Sequence, residues 1–142
     1  MAIIMDRAAL TAFLAAEFGQ VAQDFAVEDV DDDRLRLRLI VQGRHLRPGG
    51  TVSGPAIFAL ADVAVYLAIL ARIGPVALAV TTSASVDFLR KPAAGVDLLA
   101  QARILKLGRV LAVGEVLVRS EGGPDPVARA TLTYSIPPAP RA

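Results

Sequence analysis

The sequence predicts an α+β fold in which an antiparallel sheet wraps around one long central helix, with a further helix at the N-terminus. Three observations carry this prediction. The stretch Pro55–Ile73 is apolar nearly all round, so a helix built from it must be covered on most sides. Four strand-like stretches follow it, separated by Gly- and Pro-containing turn signals. Ahead of it, residues 34–41 alternate leucine with arginine, the mark of a strand with one buried and one wet face.

The elements follow in chain order. Met5–Phe18 reads as the first helix, with Leu10, Phe13, Leu14 and Phe18 at three-and-four spacing and Gly19 stopping it. Phe25–Val30 is a short strand. The run Asp31-Asp32-Asp33 is a solvated hairpin tip, since a calcium loop needs ligands at alternating positions and a closing Glu. In Arg34–Val41, Leu35, Leu37 and Leu39 share one face and the arginines share the other. Residues 42–54 form a Gly- and Pro-containing loop. Pro55 opens the long helix at a favoured position, and Gly74-Pro75 ends it. The last strands are expected at Val76–Leu89, Asp97–Leu107, Val110–Ser120 and Val127–Ile136, with links at hairpin spacing. The proline-rich tail from Pro137 to Ala142 does not continue a sheet.

Composition narrows the function classes. A chain of 142 residues with 54% hydrophobic and 20% charged residues suits a single folded domain, residues 1–142. Net charge is +1 without a basic block, and aromatics are 5%, so no nucleic-acid partner is expected. The absence of cysteine excludes disulfides, thiolate nucleophiles and cysteine zinc sites, and fits a reducing, cytoplasmic setting. No membrane role is expected either. Met1–Met5 lacks the basic start and cleavage site of a signal peptide, and Pro55–Ile73 is short for a span and carries Asp62 mid-way.

The chemistry concentrates in residues 47–62. A glycine-rich loop feeds a helix N-terminus, where unpaired N–H groups and the helix dipole favour an oxyanion. Two turns on, Asp62 interrupts the apolar helix. A carboxylate there is costly unless paired, which makes it a functional-site candidate or, equally, a structural Asp bonded to a loop or a partner chain. Tyr66 lies four residues further on the same face, able to bond the carboxylate or line a pocket. His45, the single histidine, reads as a loop residue without a catalytic role.

With Gly50, Gly54, Leu60, Ala61 and Asp62 in register, this stretch resembles the signature of hotdog-fold acyl-CoA thioesterases of the phenylacetate-degradation and hydroxybenzoyl-CoA type. The segments Asp87–Pro92, Gly108-Arg109 and Ala128–Thr131 resemble the same family, so the likeness covers most of the chain. The resemblance implies a hotdog fold and hydrolysis of an acyl-CoA. It implies Asp62 as nucleophile or general base and the Gly54 N–H as the donor that polarises the thioester carbonyl. It also implies a homodimer, often paired into a homotetramer, with two sites at the dimer interface and a sheet continuous across it. Arg90 and Lys91 would lie near the CoA phosphates, with Arg109 among the substrate-binding residues; no metal or cofactor is implied.

Three positions depart from the signature. Arg47 stands where the family has Asn, Ser53 where it has His, and Pro55 where it has a second Gly. Arg47 is expected to point into the pocket, within reach of Asp62 or an acidic ligand. Ser53 is expected to cap the helix or orient a water, and Pro55 leaves Gly54 as the donor. A non-catalytic acyl-CoA-binding hotdog protein is the alternative function. A purely structural dimerisation domain is a third, disfavoured because it gains nothing from Asp62.

Overall fold

The computed structural model describes residues 2–138; Met1 and the end of the proline-rich tail, residues 139–142, lie outside the described residues. Helix α1 (Arg7–Glu17) begins two residues later than its apolar spacing suggests, because the Asp6 carboxylate accepts from the Ala9 N–H at 2.9 Å and caps it. Leu10 and Leu14 are its buried face. Strands β1 (Phe25–Val30) and β2 (Leu35–Leu39) form a hairpin around the aspartate turn, where Asp31 accepts from the Asp33 and Arg34 N–H groups. Helix α2 (Gly54–Ile73) follows, then β3 (Val80–Phe88), β4 (Leu98–Leu107), β5 (Leu111–Ser120) and β6 (Pro126–Ser135).

The six strands form one antiparallel sheet in the order β1-β2-β4-β5-β6-β3. This is the hotdog architecture that the resemblance implies. The hairpin expected between the third and fourth strands is not formed. β3 pairs with β6 at the far edge, and residues 89–97 cross back to place β4 beside β2. Backbone bonds from Leu89 and Arg90 to the Val127 carbonyl, and from the Ala93 N–H to Ser120 Oγ at 2.9 Å, tie down that crossover. Residues 76–79 form a turn rather than the start of a strand.

α2 lies across the sheet, with Leu60, Val65, Leu67, Ile69 and Leu70 wholly buried. It is long and apolar enough to span a bilayer, yet 67% of its apolar window is buried within the fold. Each such side chain contributes about 1.5–3 kcal/mol by leaving water. On the opposite face of β2, Arg38 binds Glu28 at 2.9 Å, Asp97 at 3.0 Å and Glu121 at 2.8 Å.

The two edges differ. β1 carries Glu28 and Asp29 and is packed by α1. β3 is a bare edge whose Val80 and Phe88 are 56% and 57% exposed.

Candidate active site

The centre of the site is the Asp62 carboxylate. Thr81 and Tyr134 are cross-strand partners on β3 and β6, and both reach it from the sheet. The Thr81 hydroxyl donates to Asp62 Oδ1 at 2.7 Å and the Tyr134 hydroxyl lies 2.5 Å from the same oxygen. Tyr134 also lies 2.9 Å from the Asp62 backbone carbonyl. These partners resolve the cost of an aspartate on an apolar helix: the charge is half-buried but hydrogen-bonded.

Tyr66 does not bond the carboxylate. It donates to the Ala77 carbonyl at 3.0 Å, and its ring stacks edge-on against Phe18 at 5.5 Å and tilted against Tyr134 at 5.9 Å. Burial first, and then the Glu17 charge, push the Tyr66 hydroxyl up to about 12. Burial and then the Asp62 charge push Tyr134 further still, so both phenols remain protonated donors at neutral pH. A cleft of about 210 Å³ opens beside these groups, lined by Asp62, Thr81 and Tyr134 together with the apolar Leu14, Phe18 and Val63. It suits an apolar group attached to a polar reacting centre.

The loop entering α2 is built as its sequence suggests. Ser53 caps the helix, its Oγ accepting from the Ala56 N–H at 3.3 Å. The helix begins at Gly54, one residue before Pro55. Pro55 has no N–H, and the Ile57 N–H bonds the Ser53 carbonyl at 3.0 Å. Among the described residues nothing accepts from the Gly54 N–H, which leaves it as the donor of the first turn. The Phe88 ring lies over Gly54, about 3.5 Å from where a Cβ would stand.

Other predicted residues are dispersed. Arg47 is exposed on the loop, and its guanidinium forms neither a hydrogen bond nor an ion pair with Asp62, whose Oδ1 is held by two hydroxyls. Arg90 is engaged by the Pro126 carbonyl at 2.8 Å and by Asp125 at 3.5 Å. Lys91 is exposed beyond it. Arg109 sits in the β4–β5 turn, at the opposite end of the sheet from Arg90. His45 is not a free loop residue. It is buried in a 3₁₀ turn with its Nε2 3.5 Å from the buried Asp24. Among the described residues, no group of three His, Cys, Asp or Glu side chains converges to hold a metal.

Thr81 and Tyr134 are the site residues that the sequence reading missed. One signal was present. Tyr134 continues the inward-facing series Ala128, Ala130 and Leu132, and a tyrosine at an inward position needs a partner for its hydroxyl.

Comparison with known proteins agrees with the geometry. The family model of the thioesterase superfamily matches residues 49–127. The chain is similar to the crystal structure of a candidate thioesterase from Silicibacter sp., with 57% identity and a TM-score of 0.91 over 97% of this chain and 96% of that one. It is similar to a mutant of the phenylacetic acid degradation protein PaaI from Thermus thermophilus, with 31% identity and a TM-score of 0.69 over 89% and 99% of the two chains. Zebrafish thioesterase superfamily member 2 shares the fold, with 20% identity and a TM-score of 0.82 over 94% and 99%. No curated protein matches the sequence.

Proposed function

The chain belongs to the thioesterase superfamily, and on that premise we propose that it hydrolyses acyl-CoA thioesters, using Asp62 as general base or nucleophile and the Gly54 N–H as oxyanion donor. The observation that carries this reading is the Asp62 carboxylate, held by the Thr81 and Tyr134 hydroxyls on the wall of an apolar cleft. In the base route, Asp62 takes a proton from water as its oxygen bonds to the thioester carbonyl carbon. The C–S bond then breaks and the CoA sulfur leaves as a thiol once protonated. In the nucleophile route, Asp62 displaces the thiolate to form a mixed anhydride, which water then cleaves to the free acid.

One chain cannot supply both groups to one carbonyl. Gly54 and Asp62 are eight residues apart on α2, which is about 12 Å along a helix axis. The bare edge of β3 offers a solution. Thr81, beside Asp62, lies at one end of that strand, and Phe88, over Gly54, lies at the other. Antiparallel pairing of two β3 edges sets the Phe88 end of one copy against the Thr81 end of the second. Gly54 of one copy then faces Asp62 of the other. Arg90 and Lys91 follow the Phe88 end and so come to the neighbouring cleft, where cations suit CoA phosphates. Burial of the exposed Val80 and Phe88 favours the same homodimer, and such dimers can pair into tetramers. The cysteine-free composition fits a cytoplasmic setting for this reaction.

The test is release of free CoA from a panel of acyl-CoAs differing in acyl length and aromatic character. Turnover with at least one member, mostly lost in Asp62→Asn, supports the reading. Binding without turnover would leave an acyl-CoA-binding protein instead.

A further inference from the structure

We propose that Tyr134 is a positioning residue for this hydrolysis: with Thr81 it fixes Oδ1 of Asp62 and leaves Oδ2 as the atom that meets water or the thioester. The proposal rests on the reading of Asp62 given above. It begins from the asymmetry of the carboxylate. Both hydroxyls converge on Oδ1, whereas Oδ2 accepts from no described residue and is not among the buried unpartnered atoms. One oxygen is therefore held by the fold and the other is left open.

Such asymmetry has a consequence for geometry. The terminal torsion of an aspartate is soft and roughly two-fold, so an unrestrained carboxylate exchanges its oxygens. Two donors on one oxygen oppose that exchange. The Tyr134 donor is rigid: its side chain is buried, packed on the Tyr66 ring, and carried by a strand paired on both sides. Burial and the Asp62 charge keep its hydroxyl protonated, so it donates throughout the neutral range. A tyrosine has one proton to give. At 2.5 Å the carboxylate is closer than the backbone carbonyl at 2.9 Å, as expected where the acceptor is charged. The carbonyl still matters, because it offers the hydroxyl a second acceptor when the carboxylate is altered. Tyr134 therefore does not need Asp62 in order to be satisfied in the core.

The experiment measures kcat and KM for the best acyl-CoA, together with the melting temperature, in Asp62→Asn, Tyr134→Phe, Thr81→Val and Thr81→Ser. Tyr134→Phe and Thr81→Val are each expected to lower kcat about tenfold or more, with KM changed less than about threefold, because positioning acts on the transition state. Thr81→Ser, which keeps the hydroxyl, is expected to retain most of kcat. In an Asp62→Asn background, Tyr134→Phe should lower the residual rate no further, whereas a merely structural tyrosine would act additively. Should Tyr134→Phe fail to fold, 3-fluorotyrosine at position 134 keeps the shape and changes the acidity of the donor; kcat is then expected to change while the melting temperature does not. Wild-type kcat in Tyr134→Phe, or in the fluorinated protein, with Asp62→Asn inactive would overturn this proposal alone. Full activity in Asp62→Asn would overturn the reading beneath it.

Discussion

Val65 of α2 rests directly on Gly114 of β5: a Cβ built on Gly114 would stand 2.7 Å from Val65 Cγ1 and 3.3 Å from the Arg103 carbonyl oxygen. Helix and sheet are in close contact here, and the missing side chain allows it. Gly114→Ala should force helix and sheet apart and destabilise the fold by about 1–3 kcal/mol. Urea titration of the purified variant measures this. Unchanged stability would mean that the helix shifts freely, contrary to the close contact of Val65 with Gly114.

A second prediction concerns alkaline pH. Tyr66 is raised to about 12 and Tyr134 is raised further, both mainly by burial. In each case the folded state holds the proton more tightly than the unfolded chain does. The stability they contribute is fully present below about pH 10, the ordinary tyrosine value, and is lost as pH rises through the folded-state pKa. Denaturation midpoints should therefore fall between about pH 10 and 12. Tyr66→Phe should make that fall shallower, and an equally steep fall in this variant would contradict the assignment.

The loop that leads into Gly54 is anchored by Asp24. That carboxylate is buried, binds the Arg44 guanidinium and faces His45 Nε2 at 3.5 Å. His45 Nδ1 accepts from the Gln42 N–H at 2.9 Å, and the His45 carbonyl accepts from the Ser53 N–H at 2.8 Å. Asp24→Ala should cost about 1–3 kcal/mol by leaving these groups unpaired. It should also raise amide exchange across residues 42–53 before the rest of the sheet responds. Uniform exchange throughout the protein would show that the anchor is not local.

These particular residues show how far sequence reached. The long helix was legible because its apolar character runs all round, and the β2 strand because leucine and arginine alternate there. The start of α1 was misplaced because the Asp6 cap outweighs the apolar spacing. The crossover after β3 was read as a hairpin, since Gly and Pro mark a turn without saying which strand comes next. Asp62 and Gly54 stood out as local features of one helix. The bond between Tyr134 and Asp62 joins residues 72 positions apart, and only the sheet register brings them together. Arg47 is expected within reach of Asp62 or an acidic ligand because it stands where the family has Asn, but signature register does not fix where a long loop side chain points, and here it lies exposed while two hydroxyls hold Oδ1.

The central claim is that each site takes Asp62 from one copy of the chain and the Gly54 N–H from another. Gly54→Pro removes that N–H with little disturbance, because proline is accepted at a first helical position. Ser53 already has the extended backbone, φ −73° and ψ 157°, that a following proline requires. Gly54→Pro and Asp62→Asn should each lose most activity as pure dimers. Refolded together in equal amounts, half of the dimers are mixed, and each mixed dimer holds one intact site. Acyl-CoA hydrolysis in that mixture should recover to about a quarter of the wild-type rate. A mixture as inactive as its two components would contradict the shared site.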